Sequence, residues 1–285
     1  PRTPGHEFSA EIVEIDGNDR GLKPGMVVVC NPYFNCGECY SCKHGLVNAC
    51  MSNQTMGVQR EGAFSEYITM PLDRIYDGKG LEPMVLAIIE PLCISYHGVK
   101  RAGVKGGDKV LIVGAGTIGL LALAGVKMKK AGKILISDLS SHRLRVAGEM
   151  GADAVINPKS QDFKARILEE TGGKGVDAAI EAVGAGPSVQ QAMTALRFGG
   201  RAVWIGNNRP MIEVNMQEIV TRELSVQGSF LYGYDEFEVV AGMVNRGEIH
   251  AEPLISKTIS LKEAPAYFEK LAKTPGDLIK VVAVN

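Results

Sequence analysis

The chain has 285 residues, 45% of them hydrophobic, and its 31 basic and 32 acidic side chains leave a net charge of −1. That length supports a large core and two domains, while the even mix of charges excludes the electrostatic footprint of a nucleic-acid or anionic-membrane binder. Apolar stretches are broken by Gly or Lys well short of a bilayer span, so a soluble, cytoplasmic protein is expected.

The sequence opens at Pro1-Arg2-Thr3-Pro4-Gly5-His6-Glu7, without an initiating Met. Such a motif belongs well inside a domain, and a preceding segment is expected to be missing. Residues 8–15, 26–30 and 64–70 carry β-branched or alternating apolar side chains and predict strands. Gly17, Gly21, Pro24-Gly25, Gly57 and Gly62 punctuate them. Residues 1–95 are therefore expected to form an irregular β-rich domain.

Within it, Cys36, Cys39, Cys42 and Cys50 fall in fifteen residues. That spacing suits a tetrahedral thiolate cage around one zinc ion, with no coordination position left for a substrate. A disulfide framework is the competing reading, but such frameworks belong mostly to small secreted chains. His44 reads as a solvated bystander, and Cys30 and Cys93, in apolar surroundings, as small core residues.

From Lys109 the pattern changes to short apolar strands alternating with helices: residues 110–113, 134–137, 154–156, 178–181, 202–205 and 224–226. This predicts an α/β fold with a doubly wound parallel sheet over residues 96–232. A helix at 236–245 and strands at 254–259 and 279–284 are expected to return to the first domain as residues 233–285.

Gly114-Ala115-Gly116-Thr117-Ile118-Gly119 lies between the first of these strands and a helix. In that context Gly114 serves a tight turn, Gly116 admits a pyrophosphate close to the backbone, and Gly119 allows close helix–strand packing. Asp138 ends the next strand nineteen residues later, where a carboxylate can accept from ribose hydroxyls. A carboxylate there favours NAD over NADP. The alternative role for Asp138 is a cap on the helix starting near Ser140, and Arg143 is either a surface charge or a partner for a 2′-phosphate.

His6, Glu7 and Glu90 offer nitrogen and oxygen donors for a second metal, but only part of a catalytic shell. Taken singly, His6 also fits a structural histidine, and Glu90, before Pro91, fits a helix cap.

Read together, Gly5-His6-Glu7, the four-cysteine lobe, Glu61-Gly62-Ala63-Phe64-Ser65-Glu66-Tyr67, Glu90-Pro91-Leu92, the Gly114 to Gly119 turn and Asp138-Leu139-Ser140 resemble the zinc-containing medium-chain dehydrogenases, on their polyol branch. The resemblance covers essentially the whole chain. It implies a GroES-like catalytic domain beside a Rossmann domain, and hydride transfer from a secondary alcohol, a polyol or sugar-derived alcohol, to NAD. By resemblance, His6, Glu7 and Glu90 hold a catalytic zinc and Cys36, Cys39, Cys42 and Cys50 a structural one. Cofactor contacts fall on Ile118, Asp138, Arg143, Val183-Gly184, Ile205, Gly206, Asn207, Ser229, Phe230 and Leu231, while Glu90 and Tyr232 border the substrate. A homodimer or homotetramer is implied as well.

The sequence departs from the family in two ways. The family's first catalytic ligand is a Cys upstream of the Gly-His-Glu motif, and the sequence starts after it; at Leu231 polyol dehydrogenases often carry Arg. Three other readings compete: a zinc-ribbon nucleic-acid module, a zinc-free reductase and a silent NAD-binding protein with structural zinc only.

Overall fold

The computed structural model describes residues 2–274 and 276–285. Pro1, the first residue of the predicted 1–95 domain, and Pro275, in the predicted returning segment, lie outside the described residues. The chain folds as two compact units, one holding the residues up to Cys93 together with Leu231–Asn285, the other Ile94–Phe230.

In the first unit, β1 (Ser9–Glu11), β2 (Val27–Cys30) and β5 (Ile75–Asp77) form an antiparallel sheet in the order β1-β2-β5, with Ala10 opposite Val28 and Val29 opposite Tyr76. Between β2 and β5 the chain makes a two-residue ribbon, β3 (Tyr33–Phe34) against β4 (Gln54–Thr55), and the cysteine lobe with its short helix α1 (Tyr40–Lys43). Ile12, Leu22, Val28 and Cys30 bury together under Phe8, Ile15 and Met26, which accounts for the alternating apolar pattern.

The strand expected at 64–70 does not form. At its upstream edge the chain bonds to the N-terminal segment instead: Gly62 N–H donates to Thr3 O at 2.8 Å, Ala63 to Gly5 O at 3.0 Å and Phe64 to Pro4 O at 3.0 Å. A Cβ on Gly62 would lie 2.3 Å from Pro4 O, so only glycine admits this approach. The segment therefore clamps the backbone leading into His6.

After α2 (Pro83–Leu86) comes α3 (Ile89–Arg101), with Glu90 in its first turn and Lys100 and Arg101 in its last, charges that match the helix dipole at both ends. Pro91 is tolerated because a first-turn N–H has no intrahelical acceptor.

The second unit is built on β6 (Lys109–Val113), β7 (Lys133–Ser137), β8 (Ala154–Ile156), β9 (Val176–Glu181), β10 (Leu196–Trp204) and β11 (Ser225–Gly228). They form a wholly parallel sheet in the order β11-β10-β9-β6-β7-β8. The connecting helices are α4 (Thr117–Met128), α5 (Ser141–Glu149), α6 (Phe163–Thr171), α7 (Gly186–Ala195) and α8 (Met216–Thr221). Leu111, Leu135, Ile156, Val176, Val189 and Met193 lie in one core, as strands covered by helices require. This is the doubly wound α/β fold expected from the sequence. The chain order reverses between β9 and β6, the switch point at which such sheets bind ligands beyond their strand ends.

The last segment adds α9 (Tyr234–Asn245), β12 (Ile255–Ser260), α10 (Ala264–Lys273) and β13 (Lys280–Val284), with β12 and β13 parallel. Thr258 faces Val282.

Candidate active site and metal centres

The sulfur atoms of Cys36, Cys39, Cys42 and Cys50 all lie within 4.8 Å of one another. Cys36 and Cys50 are 3.5 Å apart and Cys39 and Cys50 4.0 Å, close to the edge of about 3.8 Å that a zinc–sulfur distance near 2.3 Å gives a tetrahedron. Backbone N–H groups of Cys36, Cys39 and Ser52 point at these sulfurs at 3.3 to 3.4 Å, and the Asn35 amide donates to Cys42 at 3.7 Å. Hydrogen bonds from the backbone N–H groups of Cys42 and Met51 pull the Cys39 thiol down to about 6. The donor set fits zinc and leaves it no open position. His44 is not in the group, and its Nδ1 lies 2.7 Å from Tyr40 O instead. Cys30 and Cys93 are buried, as expected of core thiols.

The second cluster joins residues far apart in the chain. One ligand atom each from His6, Glu7 and Glu90 lie within 4.8 Å of one another. His6 is presented by the clamped 3–5 segment, Glu7 follows it, and Glu90 projects from the first turn of α3. Burial, and then the nearby Lys280 charge, lowers the His6 pKa and favours the neutral imidazole that a metal needs. Burial pushes the Glu90 carboxyl up to about 7, against a hydrogen bond from the Tyr33 hydroxyl that pulls it down. The Lys280 ammonium pairs with one oxygen of Glu7, and burial lowers that lysine to about 8. A neutral imidazole beside two carboxylates, one buried at an energetic cost, is a donor set that a divalent cation completes. Glu90 lies within α3 and does not cap it.

The residues expected at the cofactor lie in the second unit, mostly just past the carboxyl ends of its strands, except Leu231, which belongs to the first unit. Gly119 packs so closely on the turn that an added Cβ would lie 1.7 Å from Gly114 O, which explains its small residue and brings the N-terminus of α4 onto the turn. Gly116 is the N-cap of that helix, and Ile118 lies in its first turn. Asp138 accepts from Ala115 N–H at 2.7 Å and from Ser140 N–H at 2.8 Å, tying the glycine turn to the end of β7. Capping of α5 falls to Ser140, whose hydroxyl accepts from Arg143 N–H at 3.4 Å, so the alternative role for Asp138 is not the one observed. Arg143 keeps a buried Nε with no hydrogen bond among the described residues.

Val183 and Gly184 follow β9, and Ile205, Gly206 and Asn207 follow β10. They are joined through Glu181, a fully buried carboxylate that accepts from the N–H groups of Val183 and Gly184 at 2.8 Å each, while its carbonyl accepts from Ile205 and Gly206. Ser229 follows β11, held by Trp204 O at 2.9 Å, with a buried hydroxyl that has no partner among the described residues. Phe230 is exposed. Leu231 takes a left-handed φ of 49°. Tyr232 is buried with its ring 5.1 Å from that of Tyr33.

Three participants escaped sequence reasoning. Lys280 opens an apolar strand and Tyr33 precedes the cysteine lobe, and no periodicity marks either. Glu181 did leave a signal, a lone acid ending the apolar run of β9.

A parallel sheet with a glycine turn at its switch point, together with two metal-donor clusters of different composition, defines a zinc-dependent dehydrogenase. Comparison with known proteins agrees: residues 1–79 match the alcohol dehydrogenase GroES-like domain and residues 117–246 the zinc-binding dehydrogenase family. The chain is 31% identical to the L-galactonate-5-dehydrogenase of Escherichia coli K12, over 99% of its own length and 83% of that protein. It is also 31% identical to the sorbitol dehydrogenase of Halalkalibacterium halodurans, with the same coverage. A Sinorhizobium meliloti 1021 protein described as a zinc-binding dehydrogenase, crystallised with NADP, superposes with a TM-score of 0.92 at 32% identity, over all of this chain and 84% of that one. The chain belongs to the zinc-containing medium-chain dehydrogenases, on the polyol branch.

Proposed function

We propose that this protein oxidises a secondary alcohol, a polyol or sugar-derived alcohol, with NAD, and that His6, Glu7 and Glu90 hold the catalytic zinc. The observation that carries the reading is the convergence of those three donors within 4.8 Å, apart from the four-thiolate lobe. When bound, zinc supplies an electron-pair acceptor that acidifies an alcohol, and NAD supplies the hydride acceptor.

The chain's own residues do the rest. His6, Glu7 and Glu90 would hold the cation, and Lys280 pairs with one oxygen of Glu7. Gly114, Gly116 and Gly119 would bring the N-terminus of α4, the positive end of its dipole, to the pyrophosphate, with Ile118 beside it. Asp138 accepts from the adenosine ribose and disfavours a 2′-phosphate, which is the basis for NAD, while Arg143 lies beside it. Val183, Ile205, Gly206 and Asn207 line the nicotinamide end under the brace of Glu181, followed by Ser229, Phe230 and Leu231. Tyr232 and Glu90 border the alcohol.

Among the described residues no helix is long and apolar enough to cross a membrane. Free thiols in a metal-ready lobe suit the reducing cytoplasm. A homodimer or homotetramer is supported by the exposed Met211, Met216 and Val220 on the segment that leads into the edge strand β11, and light scattering tests it. The activity is tested by following reduction of NAD, and of NADP in parallel, across polyols, sugar acids, polyol phosphates and threonine. Reduction of NAD with a polyol or sugar acid is expected; no reduction by zinc-replete protein contradicts the reading.

A further inference from the structure

Tyr33 and Glu90 are 57 positions apart, yet the phenol of one donates to the carboxylate of the other inside the first unit. Nothing known of either residue type requires this pairing. A buried carboxylate at a metal has two oxygens and a free torsion, and its value as a ligand depends on which oxygen faces the ion.

Tyr33 is itself held on several sides. Its N–H donates to the Asn31 side chain at 3.1 Å, its strand pairs with β4 through Thr55, and its ring stands edge-on to Tyr232 at 5.1 Å. Residues beyond it alternate across the ribbon. Phe34 lies under the Arg60 guanidinium at 3.9 Å. Asn35 accepts from Arg74 at 3.2 Å and donates to Cys42, and Cys36 then enters the cysteine lobe. The strand that carries the phenol is thus anchored at its far end by the thiolate cluster.

We propose that Tyr33 is a positioning residue: its hydroxyl ties down one oxygen of Glu90 so that the other is presented to the cation held with His6 and Glu7. The inference rests on the reading of this cluster as a metal centre. Tyr33 touches neither metal nor alcohol in this scheme and acts through Glu90 alone.

A double-mutant cycle on the purified protein tests it. Zinc affinity of the weaker of two sites is read by competition with a chromophoric chelator in the wild type, Tyr33→Phe, Glu90→Gln and the double variant. Tyr33→Phe is expected to weaken that site roughly ten- to a hundredfold, the usual cost of losing a partner of a metal ligand. The tight thiolate site and the thermal midpoint should hold, and Tyr33→Phe should add no loss on top of Glu90→Gln. Should Tyr33→Phe fail to fold, Tyr33→His, which keeps a ring and an N–H donor, is expected to stay within a few-fold of wild type while Tyr33→Leu is not. Unchanged affinity in Tyr33→Phe, or the same loss with Gln at position 90 as with Glu, overturns the proposal and leaves the metal centre standing. A wild type that binds only the thiolate zinc overturns the metal centre itself.

Discussion

The two donor clusters of the first unit are made in opposite ways. The cysteine lobe draws four identical sulfurs from fifteen consecutive residues, needs only a short helix and a turn to close, and pairs each thiolate with nearby N–H groups. The His6, Glu7 and Glu90 cluster draws three mixed donors from distant positions of the same unit, and its carboxylates are steadied by further distant residues, Tyr33 and Lys280. Local construction gives a closed, structural site. Distant construction places unlike groups at a cost in burial, and the raised carboxyl of Glu90 is the mark of that cost.

The contrast is sharpest for substitutions that remove a donor. His6→Ala is expected to lower kcat/KM about a thousandfold or more, since a Lewis acid contributes several kcal/mol to an alkoxide-like transition state; steady-state kinetics with saturating NAD read the effect. Cys39→Ser acts on the other cluster and should lower the thermal midpoint by on the order of ten degrees while leaving NADH affinity in place, as fluorescence titration will show. If both substitutions reduce stability and activity alike, the division of roles between the clusters is wrong.

Smaller effects separate the supporting groups. Lys280→Met leaves the Glu7 carboxylate without its partner and should destabilise metal-free protein by ~2 kcal/mol, with much of the loss recovered when zinc is added, because the cation then neutralises the charge. Denaturant melts with and without zinc check this. Asp138→Asn, away from both clusters, is expected to weaken NADH binding about tenfold and to narrow discrimination against NADPH.

Asp177 provides a control with no ligand at all. Burial opposes its ionisation, but the Arg197 guanidinium at 2.7 Å and the Lys109 N–H hold the carboxyl below its ordinary value. A depressed folded value means stability that is full above about pH 4 and is lost as pH falls through the folded pKa. Asp177→Asn should therefore cost about 1 kcal/mol or less at neutral pH, with the deficit vanishing in acid melts.

The same contrast explains what could be read in advance. The thiolate lobe, the glycine turn and the six parallel strands are local patterns, with spacing or periodicity set by a single element, and each was visible in the sequence. The strand expected at 64–70 does not form; at its upstream edge Gly62, Ala63 and Phe64 donate to Thr3, Gly5 and Pro4, a long-range pairing that apolar alternation does not encode. Capping of α5 by Ser140 instead of Asp138 turned on two polar residues, two positions apart, competing for one helix end. His6, Glu7 and Glu90 were each legible only as candidates, because their meeting depends on the clamp and on α3. The partners Tyr33 and Lys280 carry no local signal.

Zinc per chain, measured by mass spectrometry on purified wild-type protein and on His6→Ala, tests most directly whether His6 belongs to a metal centre separate from the thiolate lobe: about two ions are expected in the first and about one in the second, and equal zinc content in both would contradict it.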